Sequence, residues 1–376
     1  MPAAPRLAFF YAAMFALTGV QLPFWPAWLA ARGLTAGEIG LLLAIGQWLK
    51  LATNPLTGIA ADRSGAPRRV MLLLSLGATA GFAVLLTAHG FVSLLLLSAL
   101  TGACLSALLP LGDYVALAAA YAGRLDYGRI RLWGSLGFIA ATLLAGRLVT
   151  LAGIDSVALL LAGAAALILA ACAALPAPRR GRDATPRAGA LRALARPSFL
   201  LFLLAAALIQ GSHAVYYGFG TLYWRRLGIA DDVIALLWAE GVVAEIALFY
   251  WGAPLLRRLG PAGLLALGGG GGLLRWSLTG FVASLPALAL LQLLHGLTFG
   301  AAHLGAMHHL ARNLPPAQAA TAQALYATVV GGLGQGLLML VAGALYGAVA
   351  GKAYLAMAAV AAAGGTLALL LPATKS

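Results

Sequence analysis

Residues 91–121 read FVSLLLLSALTGACLSALLPLGDYVALAAAY, thirty-one residues whose single charge is Asp113. A helix needs roughly 20 apolar residues to cross the hydrocarbon of a bilayer, and this run exceeds that length. A charged side chain at a bilayer centre costs about 2.5–3.5 kcal/mol on insertion scales, so one that is kept there is read as functional. Two more of the ten carboxylates, Glu240 and Glu245, lie in similar stretches, as do the bases Lys50, Arg147 and Arg275.

The same pattern fills the chain on either side. It is 62% hydrophobic and 9% charged with a mean hydropathy of +0.95, against roughly 25% charged residues in a soluble domain. Apolar runs fall at about 6–31, 37–60, 67–89, 91–121, 130–153, 155–175, 198–224, 232–256, 261–284, 286–311, 317–348 and 352–372. This predicts an all-α integral membrane protein of twelve spans. The runs are continuous rather than alternating at every second residue, which argues against a membrane barrel. The first is followed by eleven others, so it reads as a span and not as a removable signal peptide.

The net charge of +14 is distributed by topology. With both termini on one side, seventeen of the 24 basic residues fall on that side and four (Arg32, Arg225, Arg226, Lys352) on the other. This positive-inside bias places both termini in the cytoplasm of a multi-pass inner-membrane protein and argues against a nucleic-acid partner. Cys104 and Cys172 fall within spans and read as packing residues rather than a disulfide framework. His303, His308 and His309 suggest no metal site, because the adjacent pair cannot share a helix face and no cysteine or acid accompanies them.

The longest loop, 176–197, holds Pro-Arg-Arg-Gly-Arg-Asp and further arginines, and reads as a cytoplasmic linker between six-helix bundles at 1–175 and 198–376. A shift of 195 residues lays Gly33 on Gly228, Arg63 on Arg258, Gly65 on Gly260 and Lys50 on Glu245. Parallel repeats of this kind are a transporter plan, with the site between them near the midplane. No Gly-x-x-x-x-Gly-Lys-Ser/Thr loop and no His-Glu-x-x-His motif occurs, which disfavours a nucleotide-driven pump and an intramembrane enzyme. The short loops disfavour a receptor with soluble domains.

The sharpest local motif joins spans 2 and 3: Gly58-Ile-Ala-Ala-Asp62-Arg63-Ser-Gly65-Ala-Pro-Arg68-Arg69. A glycine near a helix end allows close approach, and Gly65 suits a tight turn. This loop resembles the hallmark Gly-x-x-x-Asp-Arg-x-Gly run of the major facilitator superfamily, with Ala66 where a base is common. The resemblance implies that Gly58, Asp62, Arg63, Gly65 and Arg68 form a conformational latch. Leu22-Pro-Phe-Trp25-Pro-Ala-Trp28-Leu29 looks like the end of the first span of the lactose-permease-like proton symporters. Leu125-Asp-Tyr-Gly-Arg-Ile-Arg131-Leu-Trp-Gly-Ser135 is similar to those and, more closely, to the phenylpropionate permease branch. Matching segments recur at 210–219, 241–245, 274–276 and 292–307.

Asp113 and Arg131 lie 18 residues apart, on adjacent antiparallel spans that can bring carboxylate and guanidinium together as a pair. The resemblance assigns both to the substrate site. Arg275 and His295, 20 residues apart, match the proton-coupling arginine and histidine of the lactose permeases. The acid three residues beyond that histidine is here Thr298, and the lysine-like position three before it is Gln292. Glu245 is then the proton acceptor, with His295 as a relay and Glu240 as a lesser candidate. Lys50 has two roles open to it: pairing with Glu245, or receiving a substrate carboxylate, the latter favoured by a base at this position in phenylpropionate-type permeases. Trp25, Trp28, Tyr216, Tyr217 and Trp276 offer a slot for an aromatic ring or serve as interfacial anchors, and His213 is a polar contact or a packed histidine.

The expected function is proton-driven import of a small organic acid, of the aromatic phenylpropionate type, by alternating access; a proton-coupled sugar or nucleoside permease is the alternative. The expectation includes no cofactor beyond the proton gradient and no metal. It also includes the substrate, protons and lipid bilayer as partners of a monomer.

Overall fold

The computed structural model describes residues 3–123, 125–176, 196–313 and 318–372, and among them every regular element is helical. The expected linker lies outside the described residues apart from Pro176, Arg196 and Pro197. The chain divides into two compact units, Met1–Asp183 with Ala230–Ala239, and Ala184–Ile229 with Glu240–Ser376.

In the first unit, α1 (Ala3–Ala31) carries Pro23 and Pro26 inside its length, tolerable in a membrane helix where neighbouring helices and side chains re-satisfy freed backbone groups. The segment α2 (Ala36–Ser64) opens on a capping box between Thr35 and Glu38, which satisfies two orphan backbone donors reciprocally. It ends at Gly65, whose φ of 60° no side chain adopts cheaply. The helices α3 (Pro67–Leu85), α4 (Phe91–Ser106), α5 (Leu108–Gly123), α6 (Tyr127–Ala152) and α7 (Ser156–Ala174) follow. The fourth apolar run is thus interrupted at Ala107. Against α6, α1 packs backbone to backbone: a Cβ on Gly137 would lie 2.5 Å from the Ala12 carbonyl oxygen. The Thr142 hydroxyl donates to the Gly19 carbonyl at 2.8 Å.

The second unit has α8 (Pro197–Gly211) and α9 (Ala214–Arg226), which split the seventh apolar run at Ser212–His213. Next, α10 (Asp231–Trp251) has its N-terminal part in the first unit, and α11 (Ala253–Thr279) kinks at Gly260. Two further runs contain π-helical turns. One, Gly296–Ala301, joins α12 (Leu285–Leu293) to α13 (Ala302–Asn313), and the other, Ala327–Gly334, joins α14 (Ala319–Tyr326) to α15 (Gln335–Val349). A 3-10 turn leads into α16 (Ala353–Leu369). Phe199, Phe202, Leu265, Leu310, Val330 and Leu371 belong to one buried core. Small residues bring α11 onto α16, since a Cβ on Gly269 would meet the Gly365 Cα at 2.4 Å.

Among the described residues, nine helical segments are long and apolar enough to cross a membrane. Neither α2, diluted by Gln47, Lys50 and Asn54, nor α11, diluted by its glycine run, is among them. The glycines matched by the 195-residue shift share a positive φ, 87° at Gly33 and 80° at Gly228, 60° at Gly65 and 65° at Gly260, but ψ is 16° at Gly65 and 178° at Gly260.

Candidate functional site

Two clusters of polar side chains lie among the helices, one in each unit. In the first, the Tyr11 and Tyr127 hydroxyls donate to the same Asp113 oxygen, at 2.5 and 3.0 Å. The Arg131 guanidinium lies over the rings of Tyr11, at 5.1 Å, and Phe15, at 4.7 Å. The expected direct pair is therefore corrected: among the described residues no ion pair joins Asp113 to Arg131. Tyr11 stands between them, giving its hydroxyl to the acid and its face to the base, and cation–π attraction replaces the salt bridge. Arg131 keeps one buried nitrogen, Nη1, without a hydrogen-bond partner among the described residues. Tyr11 and Phe15 were not singled out by the sequence, where an aromatic in an apolar span carries no mark of its partner.

Lys50 is exposed, and its Nζ donates to Gln47 Oε1 at 2.7 Å, one turn earlier on α2. Trp25 and Trp28 are corrected as a ligand slot. Both are buried and they stack on each other, with ring centroids 4.7 Å apart. The Arg32 guanidinium covers Trp28 and is tied to Asp155 at 2.9 Å. Arg147 forms an ion pair with Asp232 at 3.7 Å.

The second unit buries Arg275 completely. Its Nη1 reaches His295 Nδ1 at 3.0 Å and Thr298 Oγ1 at 3.1 Å, and its Nη2 reaches Gln292 Oε1 at 2.7 Å. Tyr216 and Trp276 lie against the guanidinium face, at 4.6 and 4.5 Å. A guanidinium only donates, so His295 Nδ1 accepts, and in the neutral ring the proton sits on Nε2. That Nε2 points to Glu245 Oε2, 3.8 Å away. The result is a line of Arg275, His295 and Glu245 across α11, α12 and its π-helical turn, and α10.

Thr298 completes a second branch. His213 Nδ1 faces the Gln210 carbonyl at 3.0 Å; a carbonyl only accepts, so Nδ1 donates. Its Nε2, 3.1 Å from Thr298 Oγ1, then accepts the hydroxyl proton, while Thr298 accepts from Arg275. The break between α8 and α9 is what turns His213 inward, and Trp276 Nε1 holds it by donating to Ser212 Oγ at 3.1 Å. Tyr217 stacks on His213 with centroids 5.3 Å apart. Glu240 is part-buried on α10 beside Gly241, where a Cβ would meet the His295 Cβ at 3.4 Å.

The loop after α2 is held to α7 by Arg68, which donates to the carbonyls of Cys172 and Ala173, the last acceptors of that helix. Asp62 and Arg63 are exposed, and the Asp62 carbonyl accepts from the Gly65 N–H at 3.2 Å. Close approach at Gly58 is corrected, since a Cβ there would meet nothing within 4 Å. Of the histidines disfavoured as a metal site, His309 is buried and stacks on Phe202 at 4.4 Å, and His303 stacks on Phe299 at 5.9 Å.

Comparison with known proteins gives this geometry its setting. The chain is 34% identical over 347 residues, covering 90% of each chain, to a probable 3-phenylpropionic acid transporter of Escherichia coli (strain K12). It is 31% identical to the maltose permease of Geobacillus stearothermophilus, over 89% of this chain and 86% of that one. Among solved structures it superposes on the nucleoside transporter NupG with a TM-score of 0.87 and 16% identity, covering 100% of both chains. The family model described as "MFS_1 like family" matches residues 5–356. The chain is a multi-pass membrane protein that belongs to this family of major facilitator transporters.

Proposed function

We propose that this chain is a proton-coupled symporter that imports a small organic acid, an aromatic carboxylate of phenylpropionate type. The observation that carries the coupling is the Arg275–His295–Glu245 line, in which a buried cation fixes a histidine tautomer whose N–H faces a carboxylate. Ionised, Glu245 draws the His295 Nε2–H from 3.8 Å into hydrogen-bond range, about 2.9 Å. Protonated, it loses that attraction, and the difference between the two states is what a proton can drive. Thr298 stands where the lactose-permease-like symporters carry an acid; it bridges Arg275 and His213 and leaves Glu245 as the acceptor, with Glu240 second.

The substrate class is favoured by the similarity to a probable 3-phenylpropionic acid transporter and by the unmatched cations of the first unit. Among the described residues, Arg131 has a buried nitrogen without a hydrogen bond, and the hydrogen bond of Lys50 goes to a neutral amide. Both suit a substrate carboxylate, with Asp113 orienting Arg131 through Tyr11. The proposal includes twelve spans as two six-helix halves, 1–175 and 198–376, joined by a cytoplasmic linker at 176–197 in an inner-membrane monomer. The halves alternate access around the site under the proton gradient, with the 58–68 loop as latch.

Purified protein in proteoliposomes tests this reading. 3-Phenylpropionate added outside should acidify the lumen, and Glu245→Gln should abolish the acidification while leaving substrate exchange. Lumenal acidification that persists in the variant removes Glu245 as acceptor. The similarity to a maltose permease favours a second reading, a sugar symporter. Acidification by maltose or a nucleoside, but by no aromatic acid, would establish that alternative class.

A further inference from the structure

In the first unit, α1 and α6 line a groove of about 590 Å³, within the range of about 300–1,000 Å³ typical of ligand pockets. Its origin lies in residue size. At Ala12 and Gly137 the two backbones touch. Nearer their N-termini, Ile130 and Trp133 line the groove on α6, while the small side chains of Ala4, Pro5, Ala8 and Ala12 leave a shallow floor along one face of α1. Phe9, 40% exposed, and Trp133, 53% exposed, form the walls.

The mouth of the groove carries one cation. Arg129 lies one turn before Trp133 on the same face of α6, and its side chain is 88% exposed. Its Nε forms an exposed ion pair with Asp126 Oδ2 at 3.4 Å, of the kind worth little at a surface, and neither Nη is bonded among the described residues. The Asp126 carboxylate is a local negative charge, but its other oxygen already caps α6 by accepting the Arg129 backbone N–H at 3.1 Å. An apolar trough on a chain that spans a membrane, ending on a solvent-exposed guanidinium beside a half-exposed tryptophan, is complementary to a hydrocarbon chain that ends in an anion.

We propose that this groove binds one anionic phospholipid, with an acyl chain between Phe9 and Trp133 and the headgroup phosphate on Arg129. The site is separate from both polar clusters and does not depend on the transported substrate. Native mass spectrometry of the full chain, released from detergent with equal phosphatidylglycerol and phosphatidylcholine, reads it directly. One phosphatidylglycerol should be retained in preference to phosphatidylcholine. Arg129→Gln should cut that preference on the order of fivefold, the equivalent of one basic residue's attraction to an anionic surface. Ala8→Trp, which fills the floor, should remove the bound lipid. Because Ala8→Trp also disturbs packing, the exposed Arg129→Gln variant decides. Equal retention of the two lipids by the unaltered protein, or an unchanged preference in Arg129→Gln, overturns the proposal.

Discussion

At the scale of single residues, Thr298 shows how one hydroxyl organises buried charge. It accepts from Arg275 and donates to His213, so its loss leaves two buried groups short of a partner. Thr298→Val, nearly the same shape, is expected to destabilise the protein by about 1–3 kcal/mol, whereas Thr298→Ser keeps the bridge and most of the stability. Thermal unfolding of the two variants in detergent checks the difference. Arg131 poses the matching question in the first unit. Its flat guanidinium lies over Tyr11 and Phe15, a contact that an ammonium makes less well. Arg131→Lys should weaken substrate binding with little change in the unfolding temperature, and calorimetric titration with 3-phenylpropionate reads the affinity. Unchanged affinity would return Asp113, Tyr11 and Arg131 to a purely architectural role.

At the scale of elements, the breaks in the helices do what regular helix could not. The interruption at Ser212–His213 turns a histidine inward, and the π-helical turn after His295 carries Thr298 beside Arg275; π-bulges are frequent at functional sites. The two turn glycines make a sharper prediction. Gly65→Ala places a Cβ in the left-handed region, costing roughly 1–2 kcal/mol, and Gly260→Ala places one at φ 65° and ψ 178°, a region essentially confined to glycine, at a cost of about 1–3 kcal/mol. Gly58→Ala lies within α2 in open space and should stabilise the helix by up to about 1 kcal/mol. Ranking the three by thermal unfolding tests the assignment, and a transport defect in the Gly58 variant without loss of stability would support the latch. Apolar run lengths placed most of these helices correctly. The breaks were not legible, because His213 and Thr298 look the same in a sequence whether the backbone around them is α-helical or not.

At the scale of the whole molecule, the coincident glycines carry the most weight. Gly33 and Gly228, Gly65 and Gly260 all take positive φ at positions 195 residues apart, so each matched pair shares a preference for a residue without a Cβ, although ψ is 16° at Gly65 and 178° at Gly260. The charge asymmetry makes a prediction at this scale. Reporter fusions at either terminus should report the cytoplasm, and a periplasmic signal at either end would refute the assigned topology.

What the sequence determined by itself was the class of molecule. Membrane burial depends on hydropathy summed over some twenty residues, and that sum, with the bias of arginine between loops, is a property of the chain before it folds. The tertiary structure decided the partners. Helices such as α7 and α16 are apolar on every side, so no stripe in their sequences specifies which face meets which neighbour. Asp113 and Arg131 have the spacing of a pair, yet Tyr11 stands between them; Trp25 and Trp28 have the chemistry of a ring slot, yet each covers the other. Such outcomes turn on helix rotation and tilt of a few ångströms, which are set only when side chains from distant parts of the chain compete for the same space.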